Sequence, residues 1–403
     1  MNMPGPLDGV RVLDLTSVLM GPYATQMLGD MGADVIKVEP PEGDVTRQLW
    51  PYRNRGMGHM FMNTNRNKRS VALDLKRSEG RQAVLALAAG ADVLVYNIRP
   101  NAMARLGLSY EEVREINPRI IYVGAFGYSQ RGPYAARPAY EDLIQGAIGL
   151  PALFLQQGAE EPHYAPINLV DRAVGQQIAS AVGAALYFRE KSGKGQRIDI
   201  PMFEHMLALV MGEHLGGAGF EPRVDVPGYS LILAPERRPF ATSDGHICVL
   251  IYNDKQWRAF FSLIGKPGVM DEDPRFTTTA ARSQHYAVMN RMVADELRRR
   301  STDEWLTELE RADIPAQRMN SLEDILADEH LAQIGYFTEH DHPSEGRIRT
   351  TAVPSEWSEC EPGYRLHAPR LGEHTREILR EAGMDDAQIE ALVTSGAARV
   401  AAG

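Results

Sequence analysis

The chain has 403 residues, 44% hydrophobic and 24% charged, with a formal net charge of -10. That length exceeds one ordinary hydrophobic core, so two domains of a globular enzyme are expected, and the acidic balance argues against nucleic acid or an anionic membrane as partner. No apolar run approaches the roughly 20 residues that span a bilayer, and the first residues lack the charged and apolar regions of an export signal, so a cytoplasmic protein is expected.

Residues 7–39 read as strand, tight turn, helix and strand. Val10, Val12, Leu13 and Leu15 form an apolar, β-branched-rich run. Gly21-Pro22 breaks it, residues 23–31 continue as helix, and residues 33–38 are strand-like again. This βαβ opening predicts a parallel sheet in an open α/β domain. Ligands in such sheets lie at the carboxyl ends of the strands, which places the turn at residues 16–22 in view. Glu39 falls roughly where a dinucleotide-binding fold puts its ribose-binding acid. However, the turn holds only Gly21 where the pyrophosphate fingerprint needs three glycines, and no GxxxxGK[ST] loop occurs. No nicotinamide or flavin is expected, and Glu39 reads as a strand cap or a solvent-facing charge.

Residues 65–69 hold three cations in five positions and read as an ordinary charged loop. Residues 71–75 alternate as a strand, residues 76–89 form an amphipathic helix, and residues 92–95 read as a buried strand. Ser109, followed by Glu111 and Glu112, starts a helix that ends before Pro118. Residues 119–125 are the next strand, and the alternation persists to about Pro201. Asp171 follows Asn168-Leu169-Val170 and precedes a long helical stretch rich in small residues that ends near Phe188. At a helix start an aspartate accepts orphan backbone N–H groups, so a cap is the plain reading, and the helix dipole would hold it ionised.

Residues 212–239 change character, with seven glycines and prolines by Gly228 and the cluster Glu236-Arg237-Arg238. They read as a linker and active-site loop region. A second unit follows, with strands near Phe240 and at 247–251 and helices at 254–264, 286–300 and 302–311. Thr302 is the expected N-cap of the last, without a reciprocal glutamate. Cys248 and Cys360 are too few for a disulfide framework or a thiolate metal site. Cys248, in an apolar strand, reads as a small buried hydrophobe. Strands near Tyr336 and Ile348 come next, where His340 and His342 read as surface groups, then helices at 373–382 and 385–393. The eleven histidines show no HExxH or other metal spacing, and no GxSxG occurs, so neither a metal nor a serine nucleophile is expected.

Taken in order, several segments resemble the family III CoA-transferases, also called the CaiB/BaiF family. They are residues 7–39, Asn65-Arg66-Asn67-Lys68-Arg69-Ser70, Asn97-Ile98-Arg99-Pro100 through Arg105-Leu106-Gly107-Leu108, and Arg137-Pro138-Ala139-Tyr140. Further on come Asp171-Arg172-Ala173-Val174-Gly175, Ser192-Gly193-Lys194-Gly195-Gln196 and Leu371-Gly372-Glu373-His374-Thr375. The resemblance implies a large Rossmann-like domain built from both chain ends, a smaller α/β domain, and two subunits interlocked as rings in a homodimer. In that arrangement residues 1–200 are the N-terminal part of the large CoA-binding domain and residues 201–239 the linker and active-site loop. Residues 240–325 form the small domain, and residues 326–403 the return linker and C-terminal part of the large domain.

The same resemblance implies a CoA-transferase that moves CoA reversibly from an acyl-CoA thioester to a small free carboxylic acid. Asp171 would be the nucleophile, with DxxxG matching at Asp171 and Gly175, working through aspartyl mixed-anhydride and aspartyl-CoA intermediates. Leu73, Lys76, Asn97, Ile98, Arg105 and Arg137 fall on or beside its CoA contacts, and Tyr140 belongs to its substrate pocket. Two departures stand out. Leu19 occupies the position of a glutamine in the formyl-CoA:oxalate member, and nothing between residues 212 and 246 reproduces that member's tetraglycine loop. Residues 227–238 are the candidate equivalent, where Arg237 and Arg238 would either pair with a second substrate carboxylate or remain surface charge. An α-methylacyl-CoA racemase on the same fold is the alternative. It needs a histidine in a GHD-type motif where this chain has Tyr140 in AYED, a poor general base, and Asp254 lies where it places a glutamate. A non-catalytic acyl-CoA-binding homologue is a further alternative, against which Asp171 counts.

Overall fold

Residues 4–401 are described by a computed structural model. By internal contacts the chain divides into two units. Unit 1 comprises the described parts of Met1–Ile148, Ala165–Leu209 and Ala332–Gly403, and unit 2 comprises Gly149–Tyr164 and Val210–Leu331.

In unit 1 the apolar opening forms β1 (Arg11–Leu15), α1 (Met20–Asp30) and β2 (Asp34–Glu39). It continues through β3 (Lys68–Leu73), α2 (Ser78–Ala89), β4 (Val93–Tyr96), α3 (Tyr110–Ile116) and β5 (Ile121–Phe126). Next come α4 (Glu141–Ala147), α5 (Leu169–Ser192), β6 (Gln196–Pro201), α6 (Thr375–Glu381), α7 (Asp386–Thr394) and β7 (Ala398–Arg399). The seven strands stand in the order β7-β3-β2-β1-β4-β5-β6. Six are mutually parallel, and β7 is antiparallel to β3, with Ala398 opposite Leu73. The parallel α/β sheet expected from the opening is therefore present. β2 to β5 are buried almost end to end because helices cover both faces. Strand order reverses between β1 and β4, where Leu13 stands opposite both Ile36 and Leu94, so the carboxyl ends open a crevice there.

One face of the sheet joins Leu13, Ile36, Val71 and Leu94 with Leu87 of α2, Val113 of α3, Ile378 of α6 and Ile389 of α7 in a single buried cluster. Each such side chain contributes about 1.5–3 kcal/mol of burial. α5 buries the stripe Val174, Ile178 and Val182 and packs along α1. Gly175 makes that approach possible, since a Cβ there would lie 2.9 Å from both the Met20 carbonyl oxygen and the Tyr23 ring. Gly193, at φ 72°, ends α5 in the left-handed region that glycine adopts freely.

Unit 2 contains a three-stranded antiparallel sheet of Phe240–Ala241, His246–Val249 and Ala316–Arg318. Its core gathers Ile247, Trp257, Phe260, Phe261, Trp305 and Leu309. Three expectations are corrected. Cys248 is exposed, because strand alternation turns Ile247 inward and its neighbour out. The helix Thr302–Arg311 is capped one residue earlier, by Ser301 in a full capping box with Glu304. In unit 1, His342 is buried at the end of the strand Phe337–His342, where Nε2 lies 2.9 Å from the Ala368 carbonyl oxygen. Among the described residues no helix is long and apolar enough to cross a membrane.

Candidate active site

The turn after β1 is held through its polar backbone groups. Thr16 donates its N–H and hydroxyl to Asp14 Oδ1, and its carbonyl accepts from Lys37 Nζ at 3.0 Å. Ser17 exchanges two hydrogen bonds with the Asn97 amide across the switch point, at 3.0 and 2.8 Å. Val18 donates its N–H to Asp44 Oδ2 at 3.2 Å and sits at φ 70°, a region a β-branched residue enters only under constraint.

Beneath this turn lie three fully buried ion pairs, Lys68 with Asp14, Lys37 with Asp44 and Arg47 with Glu39. Burial alone would raise the Asp14 pKa. The Lys68 and Lys37 ammonium groups, helped by the Thr16 and Thr25 hydroxyls, pull it down to about 2. Two readings are overturned here. Glu39 is neither a cap nor a surface charge, since both its oxygens receive the Arg47 guanidinium at 2.7 Å and Ser70 donates to it as well. The basic run at 65–69 is not a solvated loop. Arg66 pairs with the buried Asp30, Lys68 with Asp14, and Arg69 with Asp34, Glu377 and Glu381.

At the carboxyl ends of β1, β2 and β3 a cavity of about 970 Å³ opens. Leu73, Lys76 and Ile98 line it, together with residues 15–17, 37–45 and Leu106, while Asn97 fixes Ser17 at its edge. Arg105 ends the helix Pro100–Arg105, one residue before Leu106. It is exposed, with no side-chain partner among the described residues. Arg137 lies over the Tyr134 ring at 3.6 Å. Leu19 is buried as the residue ahead of α1, its carbonyl accepting the Tyr23 N–H.

Asp171 is the third residue of α5 and is half-buried. The expected cap role belongs to another side chain. Glu141, the first residue of α4, accepts the N–H groups of Val170 at 3.0 Å and Asp171 at 2.8 Å. Gln145, fully buried, donates to Glu141 Oε1 at 2.7 Å and accepts the Ala165 N–H at 2.9 Å, so the segment before α5 is tied to α4. With the helix terminus thus occupied, the Asp171 carboxyl makes no hydrogen bond or ion pair among the described residues. Its pKa is pushed up to about 7, first by burial and then by the like charge of Glu141, with the Arg172 guanidinium acting in the opposite direction as the smallest cause. The expectation that the dipole holds Asp171 firmly ionised is therefore corrected. Arg172 instead lies over the Tyr23 ring at 4.3 Å, and with Gly175 against Met20 it brings the start of α5 beside the start of α1.

Tyr140, immediately before Glu141, is 68% exposed. Sequence reasoning passed over Glu141 because its partner lies 30 residues away and only the fold joins them. In unit 2, Arg237 and Arg238 diverge. Arg237 lines a cavity of about 330 Å³ and Arg238 another of about 290 Å³.

The family model for CoA-transferase family III matches residues 7–375. The chain is 32% identical over 388 residues to the succinate–glutarate CoA-transferase of Agrobacterium fabrum, covering 94% of this chain and 96% of that one. It is 31% identical over 424 residues to the formyl-CoA:oxalate CoA-transferase of Escherichia coli O6:H1, covering 97% and 99%. Among solved structures, a CAIB/BAIF family protein from Brucella suis superposes with a TM-score of 0.79 at 31% identity, covering 94% of this chain and all of that one.

Proposed function

The chain belongs to CoA-transferase family III and is a CoA-transferase, and from that premise we propose how it moves CoA between acids. Asp171 attacks the carbonyl carbon of an acyl-CoA, the C–S bond breaks, and CoA leaves as thiolate from an aspartyl-acyl anhydride. The thiolate attacks the Asp171 carbonyl carbon and expels the donor acid, which takes one oxygen from Asp171. This leaves an aspartyl-CoA thioester. The acceptor carboxylate attacks that thioester and releases the thiolate, and the thiolate then attacks the acceptor's acyl carbon. New acyl-CoA departs and the Asp171 carboxylate is restored.

The observation that carries this reading is the Asp171 carboxyl itself. It is half-buried, relieved of capping by Glu141, and tied to no cation, so its lone pairs stay available for attack. A pKa near 7 leaves a working fraction ionised at neutral pH. Leu73, Lys76 and Ile98 line the unit 1 cavity in which CoA is proposed to sit, with Asn97 behind the Ser17 backbone. Arg105 and Arg137 are assigned its phosphates, and Tyr140 and Leu19 the neighbourhood of the acyl group. Both anhydrides hydrolyse readily, so water must be kept away during the covalent steps.

We extend the proposal to an interlocked homodimer with the domain limits 1–200, 201–239, 240–325 and 326–403, a reading supported by resemblance to the family. Rings that thread each other exchange partners only by unfolding. Tagged and untagged dimers should therefore form no hybrids when mixed under native conditions, and rapid hybrid formation would refute the threading.

The chemistry is tested by incubating the enzyme with acyl-CoA and quenching with hydroxylamine. Peptide mapping should find a hydroxamate on Asp171, and ¹⁸O from a labelled acceptor acid should pass through that side chain into the donor acid. Turnover with no label at Asp171 overturns the assignment.

A further inference from the structure

The cavity of about 330 Å³ in unit 2 falls within the usual size of a small-ligand pocket. We infer that it is a binding site for a monocarboxylic acid with an aromatic or branched aliphatic body, whose carboxylate rests on Arg237. None of its lining residues is among those assigned above to the nucleophile or to CoA.

Its wall sets the ligand's body. Phe240, Trp257, Met289 and Val293 belong to the unit 2 core and face the cavity, joined by Ile232 and Val249. A short polar acid would leave this wall in contact with water, whereas a ring or branched chain would cover it.

The cations set the ligand's charge. Two arginines line the cavity. Arg282 is buried and already engaged, with Nη1 donating to the Phe276 carbonyl at 2.7 Å and Nη2 donating to Asp254 and to Thr279 Oγ1. Arg237 is exposed and has no side-chain partner among the described residues. The neighbouring acid, Glu236, is taken by Arg291, and Arg238 lines a different cavity. One unpaired guanidinium matches one carboxylate bidentately. A second carboxylate would have to desolvate against the apolar wall.

The Arg237 segment is also fixed in place. Gln157 donates to the Ile232 carbonyl at 3.1 Å, the Arg237 N–H closes a turn onto the Ala234 carbonyl at 2.9 Å, and the Tyr229 N–H reaches His214 Nδ1 at 3.3 Å. Tyr229, Tyr252 and Tyr286 also line the cavity, and their phenol oxygens hold no hydrogen bond among the described residues.

The test is calorimetric binding of 4-phenylbutyrate and of its neutral amide to full-length Asp171→Asn protein, in which transfer chemistry is removed. The carboxylate should bind saturably, and adding Arg237→Gln should weaken it at least tenfold while changing the amide little. Ile232→Trp, placed at the wall, should abolish both, with melting curves confirming that each variant is folded. Absence of saturable carboxylate binding, or binding indifferent to both substitutions, overturns the site. Because catalysis is already disabled, neither result bears on Asp171 as nucleophile.

Discussion

The Glu141 carboxylate accepts the Asp171 N–H at 2.8 Å, so two carboxyl groups share one helix terminus, one bonded to it and the other left over. A helix start normally draws its own acidic side chain back onto the free N–H groups. By supplying that acceptor from α4, Glu141 releases Asp171 and at the same time raises the cost of ionising it.

Asp171→Asn should lower turnover by at least about 10³-fold while making the protein more heat-stable at alkaline pH. The folded carboxyl titrates at about 7 against an ordinary 3.8, so the raised pKa favours folding only while the group is protonated. That advantage is complete below pH 4, shrinks as pH rises toward 7, and is absent above. Relative to asparagine the native carboxylate then costs roughly 1–4 kcal/mol. Melting curves at pH 4.5 and pH 8 should show a large gain for the variant at pH 8 and a much smaller one at pH 4.5. Equal gains at both would contradict the raised pKa.

The proposed mechanism needs Asp171 ionised to attack, so kcat/KM should fall about tenfold per pH unit on the acid side of about pH 7. Glu141→Gln removes the neighbouring like charge and should move this limb toward acid by up to about one unit. It will not restore an ordinary carboxyl, since burial is the larger cause. A pH–rate profile settles the matter, and an unmoved limb would separate Glu141 from the titration.

Gly175→Ala should destabilise unit 1 by about 1–3 kcal/mol, because the new methyl meets a backbone carbonyl and an aromatic ring at 2.9 Å. It would also shift the start of α5 relative to α1, and with it Asp171. Urea titration should report the stability loss. Kinetics at low temperature, where the variant is folded, should still show reduced kcat.

Arg105→Ala should raise KM for the acyl-CoA about tenfold with kcat little changed, as expected when a contact is equally strong in ground and transition states. The wild-type KM should rise with ionic strength and the variant's should rise less. An unchanged KM would remove Arg105 from the CoA site.

Much of this was legible in the chain. The run Val10 to Leu15 and the Gly21-Pro22 break announced β1 and α1, because apolar alternation and a glycine–proline pair act locally. The Asp171 segment also stood out, though what relieves Asp171 of capping did not. The buried roles of Glu39, Lys68 and Arg66 are not legible in the chain, because burial of a charge depends on partners such as Arg47, Asp14 and Asp30, which neighbouring sequence does not reveal. Ser301 lost the cap to Thr302 on paper because both are hydroxyl residues, and only the position of Glu304 decides between them. β7, two residues long, lies below any periodicity that can be counted.

That last strand has a consequence for biosynthesis. β7 borders β3, and Thr375 of α6 binds both the Ala72 N–H and the Arg399 carbonyl. A ribosome therefore delivers all of unit 2 before the sheet of unit 1 gains this edge strand. Until then β3 presents open backbone to its surroundings or to a chaperone. Replacing Ala398 and Arg399 by residues that cannot pair would leave that rim uncovered.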